Sequence, residues 1–578
     1  MSTISKPIIK EVDYNSDSLI ELKNSLTSGN ESKYLFDYPT VYIVNNQNKN
    51  KFNVYVGETT DIVRRTAQHL SVDVRKGNRK DWREFEESLS SKMFVIGHNH
   101  FNKSLTLDIE NRLMLYLASV DNVLNVQNRR GNPQNSYYTS EELDQIFSKI
   151  WRELNRKNEY LFPAESFIRN SAIFKASPFH KLTKEQIQAK DKIILNIASA
   201  VSKGETGTLI LVEGEAGAGK TVLMSSLVDD LLNSDDTKMI RDHNLINILV
   251  NHDDQLSVYQ EIEKKLAWQS GSSINVSLKP TQFLNSLKKH NLDAGIVIVD
   301  EGHLLLTSKN QAYQGGNHLK DLLSKSKVVV LVYDKKQIMS KSQVWTDNEL
   351  SNLRLDASLK GNLIKLNNQM RIKSSPDTFE WIRNIIDKCV ITDLKYDQDY
   401  DIKIFDTPLE LQQAIREKNR NQRFGISRLV ATYDWEYSSQ SKPNDCQYWE
   451  VKIGDWSCPW NRELPKNRKD SKVSWIEQSQ TINEVGSTFT VQGFDLNYVG
   501  VIIGPSVKYR DGKIIFDPSQ SKNKNAVQNR KLENGEMKNF AEELLQNELN
   551  VLLTRGVNGL YIYAVDEELQ KALKHAIE

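Results

Sequence analysis

The chain has 578 residues, 39% of them hydrophobic and 26% charged, with a formal net charge of +1. That length predicts several domains, each with its own core, and 76 basic against 75 acidic residues leave bulk charge no part in attracting nucleic acid. No apolar run nears the roughly 18 residues that span a bilayer, the start is polar without a signal-peptide core, and three scattered cysteines argue against a disulfide framework or a zinc site; a cytoplasmic protein without membrane contact is expected.

Residues 1–35 read as a polar N-terminal extension with one amphipathic helix, Ser18–Leu26. A compact α+β unit over residues 36–158 follows, with strands near Thr40–Val44 and Phe52–Gly57 and helices starting at Asp61, Arg83, Leu105 and Glu141. Tyr42 and Tyr55 fall on the two strands, while Arg65 and His69 stand four apart and share a helix face. Glu110 is in register with the apolar stripe Leu107, Met114 and Leu117. A carboxylate there costs about 3–5 kcal/mol unless an arginine or a divalent metal partners it. Taken singly, such tyrosines and such a histidine are ordinary packing residues. As a set in this order they resemble the GIY-YIG endonuclease domain, over roughly Tyr34–Trp151, with Thr40 in place of the first motif's glycine. The resemblance implies that Tyr42 and Tyr55 are the paired tyrosines, that Arg65 steadies the scissile phosphate and that Glu110 binds one Mg²⁺. It makes Tyr42 the candidate general base, aided by His69. His98, His100 and Asn125 are polar enough to contribute and are left unassigned.

The stretch Arg64–Arg83 gathers Arg64, Arg65, Arg75, Lys76, Arg79, Lys80 and Arg83 against Asp73 and Asp81. Alone it reads as a solvated face; beside Glu110 it reads as a track for backbone phosphates.

Residues 159–181 form a linker, after which strands and helices alternate. Apolar runs at Leu209–Val212, Leu245–Val250, Gly295–Val299 and Val328–Val332 belong to a first half, 182–360. Ile402–Phe405, Ser427–Thr432, Val499–Ile503 and Leu560–Val565 belong to a second, 361–578, interrupted by a Trp-rich insertion near 433–475. Continuous apolar strands separated by helices predict parallel sheets covered on both faces. The expected fold class is therefore α/β, a small α+β domain followed by two doubly wound halves.

Residues Gly214-Glu215-Ala216-Gly217-Ala218-Gly219-Lys220-Thr221 follow the first of these strands and open a helix, Val222–Leu232. Glycines let successive N–H groups turn inward onto phosphate oxygens, and the helix N-terminus adds positive potential. Lys220 can reach the β- and γ-phosphates and Thr221 can hold Mg²⁺. The run Gly295–Val299 ends on Asp300 and Glu301, at the sheet edge where such folds bind ligands. Asp300 suits the metal through water and Glu301 the attacking water.

Further segments stand in order: Leu182–Gln186, Tyr333–Gln337, Leu366–Arg371, Thr490–Asp495 and Leu553–Gly556. With the phosphate loop they resemble superfamily-1 helicases, most closely the Schlafen-group-3-like DNA/RNA helicase domain, over about Phe174–Asp566. The resemblance implies RecA-like lobes in which Gln186 reads adenine, Gln337 senses the γ-phosphate, and Arg371 and Arg555 are arginine fingers from the second lobe. Tyr333 and the Gly-His pair after Glu301 depart from the family pattern. Arginine forks placed opposite Lys220 would draw the lobes together on ATP and release them on hydrolysis.

The expected function is an ATP-driven nucleic-acid motor coupled to Mg²⁺-dependent phosphodiester cleavage. DNA is favoured over RNA on family grounds, and phage defence, restriction or repair by analogy. A homo-oligomer or a defence-system protein is the expected partner. The alternatives are an NTP-regulated switch that binds nucleic acid without cutting it, and an RNA-directed nuclease/helicase.

Overall fold

The computed structural model describes residues 4–26, 29–70, 80–88, 90–128, 137–309, 313–420, 425–444, 446–466, 473–532 and 534–577. The chain divides into two compact units, residues 1–181 with 259–268, and residues 182–258 with 269–578. Among the described residues no helix is long and apolar enough to cross a membrane.

The first unit is built on a five-stranded sheet of β1 (Ile8–Asp13), β2 (Thr40–Asn48), β3 (Lys51–Thr59), β4 (Lys92–Gly97) and β5 (Val123–Val126), in the order β1-β4-β2-β3-β5. The two expected strands are its centre. They form a hairpin with Asn48 opposite Lys51, closed by the two-residue turn Lys49-Asn50 with Lys49 at φ +57°. The polar extension contributes more than the one expected helix (observed at Ser16–Ser25): β1 pairs antiparallel with β4 along the sheet edge. Only one face of an edge strand is covered, so half of its residues stay polar and the sequence signal is weak. β5 pairs parallel with β3, which the Lys103–Ala118 helix makes possible by carrying the chain back across the sheet.

The second unit holds two parallel sheets, the RecA-like architecture expected. The first has β6 (Thr208–Gly214), β7 (Ile246–Leu249), β8 (Ser277–Leu278), β9 (Ala294–Val299), β10 (Ser326–Tyr333) and β11 (Leu363–Leu366), ordered β11-β6-β10-β9-β7-β8. β11 runs parallel to β6, so the first sheet reaches past the expected boundary at residue 360. Its alternating run Leu363-Ile-Lys-Leu366, with Lys365 exposed, is the pattern of a border strand. The second sheet has β12 (Asp401–Ile404), β13 (Arg428–Ala431), β16 (Val485–Gly486), β17 (Leu496–Ile503) and β22 (Gly556–Ala564), ordered β12-β22-β17-β13-β16 and parallel throughout. The Trp-rich insertion carries the small hairpin β14 (Glu450–Ile453) and β15 (Trp456–Pro459). Between β17 and β22 lie the hairpin β18 (Val507–Arg510)/β19 (Lys513–Phe516) and the short ladder β20 (Arg530–Lys531)/β21 (Met537–Lys538).

The two halves share apolar packing. Ala526, Phe540 and Leu544 from the second half complete the core around Ile338, Val344 and Trp345 of the first. Buried Arg530 donates to the carbonyls of Lys341 and Thr307.

Candidate functional site

In the first unit, hairpin register decides how the two tyrosines meet. Tyr42 lies opposite Gly57 and Val44 opposite Tyr55, so both rings project from one face on a diagonal. Their centroids are 6.0 Å apart, stacked at 28°. Gly57 is where this closeness is made: a Cβ there would lie 2.5 Å from both Cζ and the hydroxyl oxygen of Tyr42. Both tyrosines are buried, and burial holds the Tyr42 phenol well above its ordinary pKa, with the neighbouring Tyr55 adding to the rise and the Arg65 guanidinium opposing it.

The Tyr42 hydroxyl is 2.9 Å from His69 Nε2. Asp61 caps the Ile62–Gln68 helix by accepting from the Arg64 N–H, and His69 is the residue at its other end. Trp82 stacks on His69 at 3.7 Å between centroids and packs against Tyr55 at 4.4 Å. Trp82 was missed in the sequence reading; its amphipathic helix, Lys80–Glu87, with Trp82 and Phe85 three apart, carried the signal.

Glu110 sits buried on the Lys103–Ala118 helix. Its Oε1 accepts from Asn128 Nδ2 at 2.6 Å, and the same amide donates to the Val56 carbonyl at 2.7 Å. Asn128 thereby ties the acid to the strand between Tyr55 and Gly57. It too was missed, because β5, just before it, was not recognised.

Arg65 lines a polar pocket with Glu58, Thr59, Thr60, Arg64, Gln68 and Lys103. The Glu58 carboxylate, buried next to Gly57, accepts from Lys103 at 2.5 and 2.6 Å. Of the basic stretch, Arg75, Lys76, Arg79 and Asp73 lie outside the described residues, as do the side chains of Lys80 and Asp81. The three unassigned residues make other contacts: His98 with Ser5, His100 with Glu142, and Asn125 with Asn53. Among the described residues no group of three or more His, Cys, Asp or Glu side chains is arranged to hold a metal. A metal at Glu110 would take one protein carboxylate and fill its shell with water and phosphate oxygens, which suits Mg²⁺.

In the second unit the phosphate loop joins β6 to the helix Lys220–Asn233. Gly217 and Gly219 take φ of +90° and +69°, a conformation that favours glycine. Lys220 donates to the carbonyls of Gly214 and Glu215 and lies 3.4 Å from Asp334 Oδ2. Ala216 lines a cleft with Glu215, Asp334, Arg383 and Asn550; Ala218 is buried and Thr221 half-buried at the start of the helix.

Gln186 completes a capping box with Thr183 and turns its Nε2 toward the carbonyls of Ala218 and Gly219. Arg371 crosses the loop so closely that a Cβ on Gly217 would lie 2.7 Å from its own Cβ. Its Nε pairs with Asp495, while Nη1 is buried without a hydrogen-bond partner among the described residues. That free donor fits an anionic oxygen.

Asp300, buried at the end of β9, accepts from the Glu301 N–H at 2.9 Å. Glu301 follows at φ +48°. Burial opposes its charge, but His303, Lys220, the Gln255 hydrogen bond and Arg555 together hold its pKa below the ordinary carboxylate value. His303 Nε2 is 3.2 Å from Glu301 Oε2, and Gln255 donates to Oε1 at 3.2 Å. The Gly-His departure thus supplies a direct partner of Glu301, and Gln255 was not foreseen. Gln337 donates to Asp334 at 2.7 Å and accepts from Arg555 Nη2 at 3.0 Å. Arg555 is fully buried; burial, with Arg371 adding to it, brings its pKa down to about 9. The structure therefore links Lys220, Asp334, Gln337 and Arg555 in one chain of contacts.

Comparison with known proteins finds two family models in the chain. Residues 207–566 match the Schlafen group 3, DNA/RNA helicase domain, and residues 38–117 match the GIY-YIG catalytic domain. The uncharacterized protein YPL245W of Saccharomyces cerevisiae is 32% identical over 430 residues, which cover 68% of this chain and 90% of that protein. Among solved structures, S. cerevisiae Dbp5 bound to RNA and ADP BeF3 aligns over 72% of this chain and 90% of its own at 12% identity and a TM-score of 0.31. Mycobacterium smegmatis helicase Lhr bound to ssDNA and AMP-PNP aligns over 72% and 51% at 10% identity and a TM-score of 0.26.

Proposed function

Because the chain belongs to the Schlafen group 3 DNA/RNA helicase family and carries a GIY-YIG catalytic domain, we propose that it is an ATP-hydrolysing nucleic-acid motor joined to a Mg²⁺-dependent nuclease, acting on DNA in preference to RNA. The observation that carries the nuclease half is the Tyr42–His69 hydrogen bond beside Tyr55 and Arg65, with Glu110 tied to the same strand through Asn128.

With His69 Nε2 as acceptor, the Tyr42 O–H proton has a base to move to. Tyr42 can then take a proton from the attacking water as it passes its own to His69, so that no free phenolate is needed despite its raised pKa. Arg65 offers a fork of donors to the phosphate, and Trp82 holds the imidazole ring in plane. Glu110 would hold a Mg²⁺ ion, which when bound would offset charge on the phosphoryl oxygens.

In the nucleotide half, Lys220 and the glycine backbone bind the triphosphate, with Thr221 and Asp300 on the Mg²⁺ side. Glu301 orients water, and the unpaired Arg371 Nη1 reaches the γ-phosphate. Arg555 acts through Gln337 and is positioned to follow it. Gln186, whose amide is engaged by the helix cap and the loop, contacts adenine only by exchanging those bonds.

The test is cleavage of plasmid, forked and single-stranded DNA and matched RNA with Mg²⁺, with and without ATP, by wild type and Glu110→Ala. Cutting by wild type that disappears in Glu110→Ala is expected. Cutting that persists in the variant removes the nuclease assignment, and absence of cutting by wild type favours the nucleotide-controlled binding switch.

A further inference from the structure

The turn Lys335–Gln337, which follows β10 and carries the expected γ-phosphate sensor, belongs by sequence to the first half of the second unit. Its backbone is nevertheless gripped by the second half. Asn547 Nδ2 donates to the Lys335 and Ile338 carbonyls at 3.2 and 2.9 Å. Asn550 Nδ2 donates to the Lys336 carbonyl at 2.8 Å, and Gln492 Nε2 to the Gln337 carbonyl at 3.0 Å. Four consecutive carbonyls, 335 to 338, thus each accept from a neutral amide of the second half. Asn547, Asn550 and Gln492 are all buried, at 7%, 2% and 2% exposure, so these bonds are largely shielded from water.

Asn547 and Asn550 stand three apart on the helix Ala541–Leu553, on one face, and that helix ends two residues before Arg555. The Asn550 amide is used at both ends, since its Oδ1 accepts from Arg383 Nη1 at 2.8 Å. The Gln337 side chain is held from both sides as well, by Arg555 and by Asp334, which contacts Lys220.

We infer that Asn547, Asn550 and Gln492 are positioning residues for nucleotide hydrolysis, fastening the Gln337 turn to the helix that leads into Arg555 so that the two move as one piece. The inference rests on reading this unit as a nucleotide hydrolase. A side-chain sensor on a loose turn would report the γ-phosphate to nothing beyond its own loop. A turn whose carbonyls are bonded to the opposite half carries any shift of Gln337 directly into that half, because breaking several buried amide bonds at once is costly. Neutral amides suit this task better than ions: they hold the turn by geometry and leave the charge balance around Lys220 to Asp334, Glu301 and His303.

The experiment uses the full chain with Asn547→Ala, Asn550→Ala and Asn550→Asp. Asn550→Asp keeps an acceptor for Arg383 but removes the donor to Lys336. For all three, kcat for ATP hydrolysis is expected to fall at least tenfold with KM within about threefold of wild type, the pattern of lost positioning rather than lost binding. Hydrogen exchange at residues 336–338 is expected to speed up at least tenfold in a protein whose melting remains cooperative. Wild-type-like kcat in Asn550→Asp, or unchanged exchange of the turn in Asn547→Ala, overturns the inference. The exchange readout stands apart from activity: faster exchange in a chain that hydrolyses no nucleotide leaves the clamp in place and removes the hydrolase reading instead.

Discussion

Asn128→Ala tests whether one amide holds the acid of the nuclease unit against its tyrosine strand. The substitution removes two buried hydrogen bonds, one to the Glu110 carboxylate and one to the Val56 carbonyl. A bond to a charged group contributes about 1.5–3 kcal/mol and a neutral one about 1 kcal/mol, so the expected loss is about 2.5–4 kcal/mol. For a unit of this size each kcal/mol lowers Tm by about 2–4 °C, giving a fall of roughly 5–16 °C. Calorimetry of the full chain reads it directly. The loss should exceed what burial of the small side chain explains, and Asn128→Asp, which sets a second carboxylate against Glu110, should be worse still at neutral pH and recover as acid protonates the pair. Cleavage should fall by about 100-fold, since a displacement on the order of 1 Å at a reacting centre has that effect. A Tm within about 1 °C of wild type, together with normal cutting, would refute the claim that Asn128 places Glu110.

Two other perturbations probe the second unit. Lys220→Ala should reduce ATP hydrolysis by roughly 100-fold or more while the far-UV circular dichroism stays unchanged; steady turnover would show that the phosphate site lies elsewhere. Glu548 is fully buried, and burial, with Asp434 adding to it, raises its carboxyl from an ordinary 4.5 to about 8. The folded chain therefore keeps a proton that the unfolded chain loses above about pH 4.5. This group's contribution to stability is fully kept below that pH and is lost as pH rises toward 8, by about 5 kcal/mol. Glu548→Gln should remove this slope, matching wild type near pH 5 and melting higher at pH 8.5; parallel curves for the two proteins would refute it.

The amino-acid order by itself determined the elements whose signals are local. The glycine spacing before Lys220-Thr221, the apolar strand ending on Asp300-Glu301 and the helix face of Arg65 and His69 depend on neighbours a few residues away. Short-range geometry sets them whatever the rest of the chain does. Tertiary structure alone decided which distant groups meet. Edge strand β1, parallel β5 and border strand β11 have half-polar or very short patterns, and pairing with a partner far along the chain is what makes them strands. Trp82 against His69, Asn128 against Glu110, Gln255 against Glu301 and the amides of Asn547 and Asn550 against the Lys335–Ile338 turn follow the same rule. Each is a polar or aromatic side chain given its role by burial beside a partner that lies outside its own stretch of sequence.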